Sequence, residues 1–442
     1  MKILKFGGTS VGSAARMKAL KKIIPTQEAI VVLSAMSGTT NKLYEIAEQA
    51  GKGNFELARE LIEALRTQYQ QVIEELCEPH HEKQVYEEVV ESAFRTMQQV
   101  VRPLFTKESA NVVLAQGELL STGLFFTWMK QEGEQIGWLP ALSFMRINED
   151  AEPDEEKIKT QLVNQLSSAS VSTCWLTQGY ICLNHLDQVD NLRRGGSDYS
   201  ASLMGAAIGA EVVEIWTDIS GFHNNDPRYV TDTKSLEELS FEEAAELAYF
   251  GAKILHPSSV LPAKKKGIPV NLRNTMEPDH PGTTIHAEAK FNGVRAIAAK
   301  SGITMINIRS GRMLLAYGFL RKVFEVFEQY KTPIDMITTS EVAVSLTIDN
   351  QMYIDKIIKE LEGFGEITIT PNQCIVSIVG QLEGEQTGVA SKVFKALSQV
   401  SMKMISYGGS KYNVSVLIDE LDKVKALNDL QEQLLNTQSY VS

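Results

Sequence analysis

Two glycine pairs, each beside charged side chains, are the parts of this sequence best suited to chemistry on a phosphate. The first lies in KFGGTSVGS (5–13), where an apolar strand runs into Gly7 and Gly8 and a helical stretch follows. Glycines let the backbone approach a ligand closely, and the N–H groups that open the next helix attract an anion. Lys5 adds a point charge just before the glycines. The spacing differs from that of the GxxxxGKS/T loop, so the segment predicts a phosphate site of another kind, with a purely structural turn as the alternative.

The second glycine pair lies in NLRRGGSDYSASLMGAAIGA (191–210), ahead of a helix of small residues. Arginine offers a planar fork that matches a carboxylate or a phosphate, and small residues allow tight packing under a ligand. Asp198 stands at the junction of loop and helix, where it either caps the helix or serves the ligand. Because two arginines and two glycines adjoin it, we favour a functional role for this segment.

A third segment, IWTDISGFHNNDPRYV (215–230), is a strand that ends at Thr217 and Asp218 and leads into a polar loop. In open α/β sheets, ligands bind beyond the carboxyl ends of the strands. We therefore expect this loop near a ligand, although a turn without function fits the pattern as well. The histidines and cysteines show neither HExxH nor CxxC spacing, so the sequence predicts no metal site built from them.

The elements that must position these segments indicate an α/β fold. From residue 1 to about 285, apolar strands alternate with helical stretches, which predicts a mainly parallel central sheet flanked by helices. The strands are expected at ILKF, AIVVLSA, NVVLAQG, STCWLTQGYI, EVVEIWTD and IPVNLRN. Residues 42–105 are rich in Glu, Gln, Leu and Ala, and we expect them to form a helical excursion beside the sheet.

An internal repeat follows in the last third of the chain. The string KVF at 322–324 recurs at 392–394, and further pairs recur at the same spacing. Each copy shows the order of strands and helices of a ferredoxin-like α+β domain, β-α-β-β-α-β. We therefore expect an α/β domain at 1–290, a first repeat domain at 300–370 and a second at 371–442.

The composition restricts the partners of the protein. Its 442 residues need more than one core, and 43% hydrophobic with 22% charged residues is ordinary for globular domains. A formal net charge of -12 argues against a nucleic-acid partner, which would require a basic surface. The N-terminus has no signal-peptide pattern and no long apolar run follows, so we expect a cytoplasmic protein with no membrane attachment.

Six segments, taken in order, resemble motifs of the aspartokinase branch of the amino-acid kinase family. They are KFGGTSVGS, SAMSGTTNKL, QGELLST, RRGGSDYSA, WTDISGFHNNDPR and FGAKILHP. The C-terminal repeat resembles the paired ACT domains of that family, and the likeness covers nearly the whole chain. It implies an aspartate kinase that uses ATP and Mg²⁺ to phosphorylate the β-carboxylate of L-aspartate, the first step toward lysine, threonine and methionine.

The resemblance also assigns roles by position. Lys5 is the expected catalytic contact of the transferring phosphoryl group, and Asp198 is expected to organise Lys5 and neighbouring donors. Glu118 would hold the α-ammonium of aspartate, and Arg194 its α-carboxylate. Further substrate contacts are expected at Thr40, Gly195, Gly196 and Ser197. Nucleotide contacts are expected at Lys5, Gly7, Gly8, Thr9, Ser10, Thr217, Asp218, His223, Asp226, Arg228 and Lys253. His223 stands where relatives commonly have Tyr.

The implied reaction fits the residues present. A side-chain carboxylate with a pKa of about 4 is already ionised at neutral pH, so no general base is needed. Catalysis then depends on alignment and on cancelling negative charge, which lysine, Mg²⁺ and backbone donors can supply. The lack of a catalytic histidine pattern is consistent with this reaction.

The first repeat resembles the effector-binding part of lysine-sensitive aspartokinases. The resemblance rests on FLRKVF and ITTSEVAV and implies lysine as the effector. Effector contacts are expected at Met313, Phe319, Leu320, Ile334, Asp335, Thr339, Ser340 and Glu341. Ala316 replaces a Ser at one such position. The ACT domains are expected to form a homodimer or tetramer, and the alternative is that these residues serve only that pairing.

Two other functions compete with this hypothesis. A kinase of the same fold could act on glutamate or N-acetylglutamate, but the paired ACT repeat counts against it. A catalytically inactive amino-acid sensor is the second alternative, and the intact Lys5, Glu118, Arg194 and Asp198 count against that.

Overall fold

The structure is a computed structural model, and the chain divides into two compact units. The structure describes residues 1–25, 28–168, 174–193, 195–251, 254–287, 293–311, 317–382 and 388–436. The first unit comprises Met1–Phe222, Leu236–Phe241 and Ile254–Glu288. The second comprises His223–Ser235, Glu242–Lys253 and Ala289–Ser442.

The first unit is built on a mainly parallel sheet, as predicted. Its strands are β1 (Lys2–Phe6), β2 (Ala29–Leu33), β3 (Ile136–Trp138), β4 (Cys174–Gln178), β5 (Ile181–Leu183), β6 (Val189–Asn191), β7 (Val213–Thr217), β8 (Glu238–Ser240), β9 (Val270–Asn274) and β10 (Thr283–His286). Eight strands lie in the order β3-β4-β2-β1-β7-β9-β10-β8, and β5 and β6 form a separate hairpin. Only β9 and β10 pair antiparallel within the larger sheet. The central β2 and β4 are buried along their whole length, as expected for strands covered on both faces.

Helices cover this sheet and form the predicted excursion. The helices as far as residue 265 are α1 (Ala14–Leu20), α2 (Thr39–Gly51), α3 (Phe55–Leu76), α4 (Lys83–Val100), α5 (Lys107–Gln131), α6 (Glu155–Ser168), α7 (Gly196–Ile208), α8 (Phe241–Phe250) and α9 (Leu261–Lys265). Of these, α8 belongs to the second unit from Glu242 onward. The helices α2, α3 and α4 confirm the helical prediction for 42–105. In α3, Ala58, Ile62, Leu65 and Tyr69 are buried at the spacing of one helix face.

The strand predicted at NVVLAQG is wrong, because this segment lies inside α5. A short apolar run does not distinguish a buried strand from a buried helix, and here the apolar pattern continues through 25 residues. By length and composition α5 could cross a membrane, but 78% of its most apolar window is buried inside the protein. It is the core helix of the first unit.

The second unit contains both sequence repeats in one antiparallel sheet. Its strands are β11 (Gly293–Arg309), β12 (Ile337–Thr339), β13 (Ala343–Ile348), β14 (Glu366–Gln381), β15 (Met402–Tyr407) and β16 (Asn413–Asp419). Its further helices are α10 (Phe319–Gln329), α11 (Ile354–Leu361), α12 (Val389–Ala396) and α13 (Lys423–Leu430). The strand order is β12-β13-β11-β14-β16-β15, so the two repeats join through β11 and β14. The first repeat runs β11-α10-β12-β13-α11-β14, which confirms the ferredoxin-like order.

Each repeat has its own hydrophobic core, and the long strands contribute to both. Ile306 and Ile308 of β11 pack in the first core, whereas Val294 and Ile297 of the same strand pack in the second. The first half of β11, which precedes the first repeat in the chain, therefore belongs to the second repeat. The predicted boundaries at 1–290, 300–370 and 371–442 stay predictions.

Two segments from the middle of the chain also belong to the second unit. Val230 is buried in the core of the second repeat. The amide nitrogen of Asn225 donates to the carbonyl of Leu427 and to Oε1 of Gln431, both at 3.1 Å. Polar loop residues after β7 are thus anchored on α13 and the turn that follows it.

Candidate active site

An ion pair joins the end of β1 to the first turn of α7. The ammonium of Lys5 lies 2.7 Å from Oδ1 of Asp198, and their side chains are only 11% and 14% exposed. Gly195, with a φ of 68°, precedes the helix in the left-handed region that glycine favours, and this turn directs Asp198 toward β1. The two residues predicted to be catalytic therefore lie together at the carboxyl end of a central strand.

Gly8 is required by a close contact between two loops. A Cβ atom at this position would lie 2.8 Å from the carbonyl oxygen of Ala35, whereas at Gly7 the nearest atom would be 3.5 Å away. The Gly8 carbonyl accepts a hydrogen bond from the backbone N–H of Ser37 at 3.0 Å. The loop after β1 is thus fixed against the loop after β2.

The hydroxyl of Ser10 forms hydrogen bonds within the protein. Its Oγ lies 2.6 Å from Oγ1 of Thr275, which donates its own hydrogen to the carbonyl of Thr217 at 2.8 Å. The Ser10 hydroxyl thus ties the loop after β1 to the ends of β7 and β9. The Thr217 hydroxyl donates to Asp218 at 3.2 Å. The two segments predicted to meet the nucleotide are adjacent within the first unit.

A cavity of about 320 Å³ opens beside these loops. Five predicted site residues line it, namely Gly8, Thr40, Glu118, Gly196 and Ser197. The predicted contacts Arg194, Lys253 and Met313 lie outside the described residues.

Sequence reasoning missed several lining residues, among them Tyr44, Tyr180 and Arg193. Tyr44 follows Thr40 by one helical turn, so helix periodicity was a usable signal for it. Arg193 directly precedes Arg194, the arginine that the resemblance assigns to the α-carboxylate of aspartate. Tyr180 has a φ of 64°, in the left-handed region of backbone conformation. A tyrosine rarely adopts this conformation, so the sequence does not indicate it.

Glu118 is a buried carboxyl group at the wall of the cavity. Its side chain accepts a hydrogen bond from the backbone N–H of Ala35 at 3.2 Å. Burial raises the pKa of Glu118 to about 8, while the Ala35 N–H and the charge of Lys5 act in the opposite direction. This group is thus mostly protonated near neutral pH, and an ammonium ion beside it would favour its ionised form.

The remaining predicted nucleotide residues lie in the second unit. Arg228 donates from Nε and Nη2 to the carboxylate of Asp226, at 2.9 and 2.6 Å. Partial burial opposes the charge on Asp226, but the hydrogen bonds from Arg228 outweigh it and hold the pKa of Asp226 below its ordinary value. Nδ1 of His223 lies 3.4 Å from the hydroxyl of Thr233. The structure therefore pairs Asp226 with Arg228 in one short loop.

Comparison with known proteins identifies the family. Residues 1–274 match the amino acid kinase family, and residues 376–434 match an ACT domain. The sequence is 32% identical to lysine-sensitive aspartokinase 3 of Escherichia coli (strain K12), over 98% of each chain. The chain belongs to the aspartokinases of the amino acid kinase family.

Two solved structures of E. coli aspartokinase III agree with this assignment. The complex with lysine and aspartate, described as the T-state, has a TM-score of 0.85 at 30% identity. The complex with aspartate and ADP, described as the R-state, has a TM-score of 0.81 at 31% identity. Each match covers 98% of this chain and 99% of the other. The predicted fold, the aspartokinase family and the enzyme class of a kinase are confirmed.

The effector residues expected from the aspartokinase family fall into two groups. Thr339 is the last residue of β12, and Ser340 and Glu341 follow it in the exposed turn before β13, where the Ser340 N–H donates to the carbonyl of Ala343 at 2.8 Å. Asp335 instead has a buried side chain, to which the hydroxyl of Tyr249 donates at 3.0 Å. Phe319 is buried, Ile334 packs against the core of the first repeat, and Leu320 is exposed.

Proposed function

We propose that the protein transfers the γ-phosphoryl group of ATP to the β-carboxylate of L-aspartate and so forms 4-phospho-L-aspartate, the first intermediate toward lysine, threonine and methionine. The observation that carries this proposal is the Lys5–Asp198 ion pair beside a cavity whose wall contains Glu118. The charge of Lys5 acts on the pKa of Glu118, so the two groups belong to one electrostatic environment.

Lys5 neutralises charge during the transfer. The acceptor carboxylate is already ionised, so the barrier arises largely from bringing it against phosphate oxygens. The Lys5 ammonium lies 2.7 Å from Oδ1 of Asp198, so one of its three N–H groups can donate to this carboxylate. Asp198 therefore orients Lys5, and the two other N–H groups of the ammonium remain for the phosphoryl group.

Mg²⁺ enters this proposal together with ATP. Carboxylate oxygens are the ligands that Mg²⁺ prefers, and the exposed carboxylate of Asp218, directly after β7, fits that preference. When bound, the ion would supply further neutralisation of the phosphate charge.

The amino-acid end of the substrate is held by groups around the cavity. Glu118 receives the α-ammonium, whose positive charge favours the ionised form of this buried carboxyl group. Gly196 and Ser197 begin α7, and the positive end of the helix dipole there favours an anion such as the α-carboxylate. Arg194 is assigned to the same carboxylate. Thr40 and Gly195 complete the substrate contacts.

The nucleotide is assigned to the loops that follow β1 and β7. Phosphate contacts come from Lys5, Gly7, Gly8, Thr9 and Ser10. Contacts to the rest of the nucleotide come from Thr217, Asp218, His223, Asp226, Arg228 and Lys253.

The repeat unit serves as an amino-acid sensor, with lysine as the effector. This assignment is supported by the lysine-sensitive relative and by the lysine complex of E. coli aspartokinase III. The effector contacts are Met313, Phe319, Leu320, Ile334, Asp335, Thr339, Ser340 and Glu341. The protein acts in the cytoplasm as a homodimer or tetramer joined through its ACT domains.

Hydroxamate formation from aspartate and MgATP tests the reaction. We expect product with aspartate and little with glutamate or N-acetylglutamate, and inhibition when lysine is added, with threonine and methionine as comparisons. A protein that forms no hydroxamate from aspartate but binds lysine would instead be an inactive sensor. If glutamate were the better acceptor, the substrate assignment would be wrong.

A further inference from the structure

Two tyrosine hydroxyls meet at the edge of the cavity. Tyr44 lies in α2 and Tyr180 in the turn between β4 and β5, and their hydroxyl oxygens are 3.2 Å apart. Both side chains line the cavity that contains Glu118. Neither tyrosine has a role in the reaction as described so far.

Tyr180 is held in an unusual conformation by two features of α7. Its φ of 64° lies in the left-handed region, which is uncommon for a bulky residue. Its backbone N–H donates to the hydroxyl of Ser200 at 2.9 Å. Its ring packs so closely on Gly196 that a Cβ atom there would overlap it. Backbone strain that is fixed from several sides is typical of residues with a functional position.

The hydroxyl pair leaves one hydrogen available. When one hydroxyl donates to the other, the acceptor keeps its own O–H for a third group. Tyr180 is buried, whereas Tyr44 is 52% exposed and open to water. Burial, and next the Tyr44 hydroxyl, raise the pKa of Tyr180 above its ordinary value, so its hydroxyl stays protonated at any working pH. With Tyr44 as donor, the O–H of Tyr180 is available to a ligand in the cavity that Tyr180 lines.

The substrate offers an acceptor at that point. Tyr180 lies close enough to Glu118 for the two groups to interact electrostatically. The α-ammonium and α-carboxylate of an amino acid share one carbon atom, so an ammonium bound at Glu118 brings the α-carboxylate close to the neighbours of Glu118. Hydrogen bonds from a neutral donor to a charged acceptor are among the stronger ones.

We propose that Tyr180 donates its hydroxyl hydrogen to the α-carboxylate of the bound amino acid, and that Tyr44 positions and polarises Tyr180. This inference rests on the proposed binding of aspartate at Glu118. It adds to that function a substrate-binding hydroxyl and a positioning residue on α2.

Steady-state kinetics of Tyr180→Phe and Tyr44→Phe test the proposal. For Tyr180→Phe we expect the KM for aspartate to rise about tenfold with kcat within about twofold, because a hydrogen bond to a charged group is lost. For Tyr44→Phe we expect a smaller rise of about twofold to threefold, because only the polarising partner is removed. The KM for ATP should stay unchanged in both. Tyr86→Phe is the matched control, because the Tyr86 hydroxyl contacts His81 away from the cavity.

β-Alanine, which is aspartate without its α-carboxylate, separates a direct contact from a change of cavity shape. Its inhibition constant against aspartate should be the same in wild type and Tyr180→Phe. An unchanged KM for aspartate in Tyr180→Phe overturns the proposal, and so does an equal weakening of aspartate and β-alanine. If Tyr180→Phe fails to fold, the Tyr44→Phe variant tests the proposal, because the Tyr44 side chain is exposed. An unaltered KM for aspartate in Tyr44→Phe would then show that the two tyrosines take no part in aspartate binding. Failure of the proposed function itself would show as wild-type protein without activity on aspartate.

Discussion

The ammonium of Lys300 lies 2.6 Å from the carboxylate of Asp335, whose side chain is only 1% exposed. A second carboxylate, that of Asp349, lies 2.9 Å from the same ammonium. Burial opposes the charge on Lys300, but the two carboxylates outweigh it and raise its pKa. An effector ammonium that approached Asp335 would therefore meet a carboxylate already paired with an internal cation.

Replacing Lys300 tests the importance of this pair for folding. Lys300→Met would leave Asp335 buried without its cation, and we expect the free energy of unfolding to fall by about 3 kcal/mol. In Lys300→Met with Asp335→Asn, most of the loss should be recovered, because no buried charge is left unpaired and the 41% exposed side chain of Asp349 is solvated by water. Urea unfolding of the two single variants and the double variant measures this. Additive losses in the double variant would show that the two groups are energetically independent.

Lys5→Ala tests the proposed charge neutralisation during transfer. We expect kcat to fall about 100-fold or more, with a smaller change in the KM for aspartate, because the lost interaction is strongest in the transition state. Lys52→Ala is the matched control, because Lys52 is an exposed lysine whose partner is the neighbouring Glu48. A Lys5→Ala enzyme with kcat within about twofold of wild type would remove Lys5 from the reaction.

Glu118 predicts a pH dependence of stability. Its pKa is raised in the folded protein from 4.5 to about 8, so between these values the folded state binds a proton that the unfolded state has lost. The contribution of Glu118 to the free energy of unfolding is complete below pH 4.5 and falls as the pH rises toward 8. Relative to Glu118→Gln, wild-type protein should lose up to about 4 kcal/mol across this window. Denaturant unfolding at pH 5 and pH 8.5 measures the difference.

The same ionisation predicts how substrate affinity depends on pH. The α-ammonium needs the ionised form of Glu118, so the KM for aspartate should decrease as the pH rises from 7 to 8.5. In Glu118→Gln the KM should be high and nearly independent of pH in that range. A parallel pH profile in the two proteins would exclude Glu118 from binding the ammonium.

Two adjacent glycines should tolerate substitution differently. In Gly8→Ala the new methyl group meets the Ala35 carbonyl at 2.8 Å, and we expect the free energy of unfolding to fall by about 1 to 3 kcal/mol. In Gly7→Ala the nearest atom is at an ordinary 3.5 Å, and the loss should be below about 1 kcal/mol. Thermal or urea unfolding of both variants provides the comparison. Equal losses would contradict the close contact at Gly8.

The sequence predicted those site residues whose charged side chains lie next to a glycine turn. Lys5 stands just before one glycine turn and Asp198 just after the other, and the structure pairs them. The position of Tyr180 could not be predicted, because its left-handed backbone depends on contacts with α7 that form only in the folded chain. Periodicity likewise failed for NVVLAQG, where the same apolar residues suit a strand or a fully buried helix.

The repeats show a second limit of sequence reasoning. The spacing of KVF at 322–324 and 392–394 indicated two copies of one fold, and the structure confirms the ferredoxin-like plan. The spacing does not show that β11 supplies a strand to each copy. Nor does it show that Val230, far upstream, packs in the core of the second repeat. Such contacts depend on tertiary packing, which local patterns do not encode.

Asn225 provides a test of whether this packing matters for nucleotide binding. Its side chain is buried and donates to the Leu427 carbonyl and to Gln431 Oε1, so Asn225→Ala leaves two buried acceptors with one donor fewer each. We expect the free energy of unfolding to fall by about 1 to 3 kcal/mol.

The segment that follows Asn225 carries Asp226 and Arg228, which we assign to the nucleotide. Because loss of the anchor frees this segment, Asn225→Ala should raise the KM for ATP severalfold and leave the KM for aspartate within about twofold. Asn350→Ala, in an exposed turn of the first repeat, is the matched control and should change neither constant. If Asn225→Ala lowers stability while the KM for ATP stays at the wild-type value, the anchor on α13 stabilises the fold alone and the segment reaches the nucleotide without it.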